Sequence, residues 1–163
     1  MGHLESKEML LARWADLLRD SSLHDLPYKI ELNAEGTIEM SPANNRHGMR
    51  QADLVWMLRS ALPKGRVITE CSILTDIGVR VPDVAWASNE FLASEADNTP
   101  FMRAPEICVE VRSPSNSDRE INDKIRAYLA AGAVEVWIAL QEGPVKIYAA
   151  EGEVAASRFG VNP

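Results

Sequence analysis

Apolar positions recur at helical spacing over residues 4–19, where Leu4, Leu11, Trp14, Leu17 and Leu18 gather on one side. From residue 28 the rhythm shortens. Residues 28–33 and 37–41 read as the two strands of a hairpin turned at Ala34-Glu35-Gly36. Pro42-Ala43-Asn44-Asn45 reads as a loop. The helical period returns over 46–61, with Met49, Leu54, Met57, Leu58 and Leu62 on the apolar side and Lys64-Gly65 closing it. Two longer apolar runs, 66–75 and 79–87, predict strands joined at Asp76-Ile77-Gly78. Residues 88–104 are mostly polar, Phe91, Leu92 and Pro100 apart, and predict an irregular excursion. The run 106–113 predicts a buried strand. Ser117 with Glu120 makes a capping-box pattern for a helix that reaches about Ala131 and stops at Gly132. Two last strands, 134–140 and 145–149, flank the Gln141-Glu142-Gly143-Pro144 turn, and 151–163 reads as a short tail.

Helix, hairpin, helix, strands, helix, strands is the order of an α/β protein with a central mixed sheet flanked by helices. The 163 residues suit a single domain, divided into an N-terminal helical region at 1–27, a core at 28–149 and a short tail at 150–163. Hydrophobic content of 46% is ordinary for a globular chain. No apolar run is long enough to span a membrane, and the polar, acidic N-terminus is unlike a signal peptide. Cys71 and Cys108 lie in apolar runs without metal-ligand spacing, which predicts reduced core thiols and a cytoplasmic protein. Trp56, Trp86, Trp137 and Tyr148 are expected in the core.

Charge narrows the functional classes. A net charge of −7 argues against tight, nonspecific binding to nucleic acid. The charges are unevenly spread, however. Residues 46–66 carry Arg46, Arg50, Arg59, Lys64 and Arg66 against Asp53 alone, whereas acid predominates over the first forty residues. That asymmetry predicts one basic face or, more plainly, a solvated helix surface.

Within the apolar strands, Asp83 and Glu110 stand out. An unpaired buried carboxylate costs several kcal/mol even after relaxation. If Asp76-Ile77 is a two-residue loop, residue 70 pairs with residue 83, and Glu70 joins Asp83 on one face. A bulged loop involving Gly78 would shift the register by one and turn Glu70 away. Glu110 alternates with Cys108 and Arg112 on its own strand. Carboxylates placed together repel unless a cation joins them. A hard divalent ion, Mg²⁺ or Mn²⁺, is commonly bound by one or two carboxylates, waters and a substrate phosphate. Lys124 lies at the edge of the apolar stripe Ile121, Ile125, Tyr128, Leu129, from which a long side chain reaches toward the sheet. Two acids and a lysine in this setting point to phosphodiester hydrolysis.

The order Pro82-Asp83, then Glu110, resembles the PD-(D/E)xK nuclease superfamily. More closely, Pro82-Asp83-Val84, the Glu110–Ser115 passage, Lys124 and the Tyr128–Trp137 passage with Ala131-Gly132 resemble the Uma-type family of restriction-endonuclease-like proteins. The upstream "IEMSPANNRH" is similar to that family's Met-Ser-Pro…His passage, so the resemblance covers roughly residues 28–148. It implies a restriction-endonuclease-like core and a metal-dependent DNA endonuclease. Asp83, Glu110 and the Val111 carbonyl would ligate the metal, with Lys124 as the signature lysine moved from strand to helix. Arg112 departs from the pattern, since that position is usually apolar. It would either bind phosphate or neutralise Glu110 and weaken the metal site.

Plainer readings stand beside these. Asp83 also reads as a strand-end residue bonding local backbone, and Glu110 as half of an ion pair with Arg112 or Lys124. His47 reads as a base or phosphate contact, or more simply as a helix-terminal surface residue. Two other readings of the whole are a nuclease fold without activity that binds nucleic acid or protein, and a structural oligomer built through an apolar edge at 134–140 and 145–149. DNA is the expected partner. A homodimer or larger homo-oligomer would suit cutting of both strands, and a separate partner could supply specificity.

Overall fold

The structure, a computed structural model, describes residues 2–163, and side chains from residue 6 onward. Helix α1 (Gly2–Arg19) buries Leu10, Trp14 and Leu17, while Leu18 lies half exposed. The side chain of Leu4 is outside the described residues. A short 3₁₀ turn at Ser21–Leu23, capped by the Asp20 carboxylate, leads to the hairpin of β1 (Tyr28–Asn33) and β2 (Ile38–Pro42). Helix α2 (Asn45–Ala61) starts where Asn44 Oδ1 accepts the His47 N–H, and it buries Leu54 and Leu58. Met49 and Trp56 on its other side face solvent, Trp56 being 73% exposed, so the expected core role fails for Trp56 and holds for Trp86 and Trp137.

The two long strands expected at 66–75 and 79–87 are each broken in two. The first is β3 (Arg66–Thr69) and β4 (Ile73–Thr75); the second is β5 (Gly78–Arg80) and β6 (Val84–Ala87). Glu70 takes a left-handed backbone, φ 54°, and turns one strand out of the sheet plane. Pro82, which has no N–H to give a ladder, interrupts the other. The register is nonetheless continuous. Thr69 pairs with Val84 and Ile73 with Arg80, as a two-residue Asp76-Ile77 loop requires. Gly78 closes that loop at φ 120°, where a Cβ would lie 2.0 Å from the Leu32 carbonyl oxygen.

One folded ribbon therefore contributes to two sheets. The four-stranded sheet runs β2-β1-β5-β4. The six-stranded sheet runs β10-β9-β8-β7-β6-β3 and adds β7 (Ile107–Arg112), β8 (Glu135–Leu140), β9 (Val145–Ala149) and β10 (Gly152–Val154). It is mixed, with β7 parallel to β8 and antiparallel to β6. Strand β8 is interior, between β7 and β9, and so offers no edge for assembly. Residues 88–104 are not wholly irregular: helix α3 (Asn89–Glu95) begins where Ser88 Oγ accepts the Phe91 N–H, and Phe91 is buried. Its seven residues are too few to show a period. Helix α4 (Asp118–Ala130) carries the full Ser117–Glu120 capping box.

Three apolar clusters divide the interior. Helices α3 and α4 cover one face of the larger sheet, through Phe91, Ile121, Ile125 and Tyr128. Helix α2 covers the other, against Val84, Val109 and Trp137. Helix α1 seals the smaller sheet through Leu10, Trp14, Leu32 and Val79. The expected tail at 150–163 instead supplies β10 and packs Phe159 and Val161 into the second cluster. Cys71 and Cys108 are free and buried.

Candidate active site

The break in the ribbon decides where the acids go. Asp83 follows Pro82 at the junction of the two sheets, and its side chain is 2% exposed. Its Oδ2 accepts the Val111 N–H at 2.7 Å. The β6–β7 ladder stops at Val84 and Val109, and in the continued register Val111 stands opposite Pro82. Proline has no N–H to return, so the Val111 carbonyl lacks the ladder bond that another residue would supply. The Asp83 carbonyl itself accepts Gln51 Nε2 from α2 at 2.8 Å. The PD pair thus frees one edge of β7 and places a carboxylate there.

Glu110 sits at the same end of β7. Its Oε1 accepts Tyr128 Oη at 2.7 Å and Lys124 Nζ at 3.1 Å, both from α4. Its Oε2 lies 3.3 Å from the Lys29 Nζ of β1, and that same ammonium is 3.1 Å from Asp83 Oδ1. Lys124 also donates to Glu31 Oε1 at 3.1 Å, where the Val81 N–H binds at 2.8 Å. Arg80 lies 3.6 Å from Glu31 and 2.6 Å from Glu39. On the far side, His47 Nε2 is 3.3 Å from Asp83 Oδ2. The result is a string of alternating charge: Glu39, Arg80, Glu31, Lys124, Glu110, Lys29, Asp83, His47. It lines a cleft of about 810 Å³ between the two sheets and α4.

Burial and pairing compete along this string. Burial alone would push Asp83 up, but the His47 hydrogen bond, the Lys29 charge and the Val111 N–H hold it well below the usual carboxylate range. Glu31 is likewise held low, because Lys124, Lys29 and the Val81 N–H outweigh its burial. Glu110 goes the other way: burial raises it, with Asp83 and Glu31 adding to the rise against the pull of Lys124 and Lys29. Burial would lower Lys29, yet Glu110, Asp83 and Glu31 raise it well above an ordinary lysine. His47 is raised, first by its hydrogen bond to Asp83.

Asp83, Glu110, Lys124 and His47 thus meet in one cleft. His47 is not a surface residue, since its side chain is only 13% exposed. Glu70 still donates its N–H to the Asp83 carbonyl at 3.3 Å, but with its left-handed backbone its side chain lies exposed on the rim and does not join the Asp83 carboxylate. Arg112 neither neutralises Glu110 nor lines the cleft. It donates to the Asn116 carbonyl at 3.2 Å and pairs with Asp118 at 2.6 Å, closing the loop before α4. The basic stretch is largely spent on structure: Arg46 pairs with Glu142, Arg50 donates to the Leu140 and Gly143 carbonyls, and Arg59 to that of Pro63.

Lys29, Glu31 and Arg80 are the members that sequence reading misses. In β1, Lys29 and Glu31 alternate with Ile30 and Leu32, which pack toward α1. That alternation is the ordinary signature of a hairpin with one wet face. Only the second sheet, folded across the first, turns the wet face into a cleft wall.

The donor set suits a hard cation. Among the described residues no three His, Cys, Asp or Glu side chains converge on one point. Two carboxylates and a carbonyl remain, which is a normal protein share for Mg²⁺ completed by water and phosphate. The position between Asp83 Oδ1 and Glu110 Oε2 already attracts a cation, the Lys29 ammonium.

A mixed sheet between helices, with paired acids at the end of two adjacent strands, defines a nuclease-like α/β fold. A solved structure of the same fold is that titled a putative nuclease belonging to DUF820 from Anabaena variabilis. It has a TM-score of 0.61 and 18% identity, covering 80% of this chain and 83% of that one. The model of the Uma2 family, described as "Putative restriction endonuclease", matches residues 20–162, and the chain belongs to that family. A comparison with curated proteins finds no match. Among the described residues no helix is long and apolar enough to cross a membrane.

Proposed function

We propose that this protein is a Mg²⁺- or Mn²⁺-dependent DNA endonuclease whose working residues are Asp83, Glu110 and Lys124. The observation that carries the reading is the meeting of the two buried carboxylates and the Lys124 ammonium at the floor of an open cleft. Asp83, Glu110 and the Val111 carbonyl would hold the metal. Once bound, it would polarise a phosphoryl oxygen and lower the pKa of an attacking water.

The chain's own residues supply the rest. Lys124 keeps a positive charge beside Glu110, where it orients the attacking water and offsets charge that grows on the phosphoryl oxygens. Glu31 anchors Lys124 from behind, and Tyr128 fixes the Glu110 rotamer. His47 and the Val111 N–H fix the carboxylate plane of Asp83. Gln51 and the Pro82 gap keep that junction in place.

The test is incubation of supercoiled plasmid and single-stranded DNA with purified protein and Mg²⁺ or Mn²⁺. Nicked or linear product is expected from the natural protein and none from Asp83→Asn. Equal cleavage by both, or by neither across a range of salt and pH, would count against the reading.

A further inference from the structure

We propose that Lys29 is a displaceable internal counter-ion, holding the metal position in the metal-free protein and giving it up when a divalent cation loads. The inference rests on the metal-site reading above. Its ground is the way two lysines divide Glu110 between them. Lys124 takes Oε1 and is tied from behind by Glu31 at 3.1 Å. Lys29 takes Oε2 and, as its only other salt-bridge partner among the described residues, Asp83 Oδ1. Both anchors of Lys29 are thus the carboxylates that a metal would use, whereas Lys124 has an anchor of its own.

Sterics make the two cations exclusive. An ion bound about 2.1 Å from these same two oxygens leaves no room for an ammonium about 3 Å from both. The metal-free protein needs some cation there, because removing one partner of a buried ion pair strands the other. Lys29 meets that need without a ligand. It also has somewhere to go. A second hollow of about 220 Å³, walled by Trp14, Leu17 and Tyr28, opens beside Lys29 and reaches the exposed Glu70. Lys29 lines both spaces, so rotation of its four-carbon stem moves the ammonium from one to the other.

The consequence is a threshold for loading. Metal binds more weakly than its donors alone would allow, and a substrate phosphate that takes up the freed ammonium raises metal affinity. By linkage, metal raises phosphate affinity equally.

The experiment is calorimetric titration of Mn²⁺ into the natural protein, Lys29→Met and Asp83→Asn. In parallel, the natural protein is footprinted with an amine-acylating reagent read by mass spectrometry. Lys29→Met should bind Mn²⁺ about tenfold or more tightly than the natural protein, the scale of one charge-assisted hydrogen bond, and Asp83→Asn should bind far more weakly. Acylation of Lys29 in the natural protein should rise severalfold at saturating Mn²⁺, while Lys124 stays protected. Binding by Lys29→Met that is unchanged or weaker, with Asp83→Asn still impaired, overturns the displacement and leaves the metal site standing. Should Lys29→Met not fold, Lys29 acylation that does not respond to Mn²⁺ overturns it equally. Absence of Mn²⁺ binding in all three proteins overturns the metal site and the displacement together.

Discussion

Two glutamates on adjacent parallel strands are buried to the same degree and do opposite things. Glu110 on β7 is held by Lys29, Lys124 and Tyr128 at the floor of a cleft. Glu135 on β8 is wholly buried at the other end of the sheet. It accepts Trp137 Nε1 at 2.9 Å, Ser157 Oγ at 2.9 Å and the Arg158 N–H at 2.6 Å. Its donors are uncharged and fixed, two of them in the C-terminal segment, so Glu135 is a clasp that fastens that segment to the sheet. The donors of Glu110 include two long cationic side chains that line the open cleft, of which Lys29 has no anchor besides Glu110 and Asp83 among the described salt bridges. Burial of a carboxylate therefore does not mark a reactive site. What distinguishes Glu110 from Glu135 is that its balancing charges line an open cleft.

The sharpest way to break the comparison is to neutralise one acid at each end. On the proposed reading Asp83→Asn removes a metal ligand and should lower DNA cleavage by about a thousandfold or more, in a steady-state nicking assay. Lys124→Met should cost about a hundredfold, comparable to removing one charge-stabilising donor. Glu135→Ala should act on stability instead. It leaves buried donors unmet and should lower unfolding free energy by about 2 kcal/mol, read by urea denaturation, with cleavage by the folded protein unchanged. Cleavage falling with Glu135 would erase the distinction. The smallest effect is a pH dependence. The folded-state pKa of His47 lies above its usual value. Its stabilisation is therefore complete below about 6.5 and fades as pH rises through the folded value. The melting-temperature gap between the metal-free natural protein and His47→Gln should close as pH rises from about 5.5 to 8.5, with less than about 1 kcal/mol at stake. A gap that widens with pH would reverse the assignment.

How far the site can be read from sequence follows from the same contrast. Asp83 and Glu110 are legible because each interrupts an apolar strand. By that rule Glu135 stands out equally, and it is the clasp. Lys124 is legible through its helix edge and the motif around it. The order of helices and strands and the 117–120 cap follow from local chemistry, and the 69–84 register is one of the two that the Asp76-Ile77-Gly78 turn allows. The two strand breaks do not: nothing in the residue type of Glu70 announces its left-handed backbone, and Pro82 signals an interruption without showing that the chain crosses to a second sheet there. Without those breaks there is no second sheet, and without the second sheet Lys29 and Glu31 look like solvent-facing hairpin residues. Arg112 misleads for a related reason: alternation puts it on Glu110's face, but the chain turns at Ser113-Pro114 and Asp118 draws the guanidinium away.

The continuous ribbon behind Asp83 also sets an order of assembly. The Asp76-Ile77 turn joins β4 and β5 through pairs three to seven residues apart in sequence, and hairpins of this kind close in roughly microseconds. The Lys29–Glu110 contact spans 81 residues and must wait for both sheets to dock. Asp83 should be in place before its counter-charges arrive. Pulse-labelled amide exchange during refolding should then find Ile73 and Arg80, paired across the turn, protected ahead of Leu74, whose N–H is held by the Phe101 carbonyl at 2.9 Å; simultaneous protection would mean that the ribbon forms only with the structure around it.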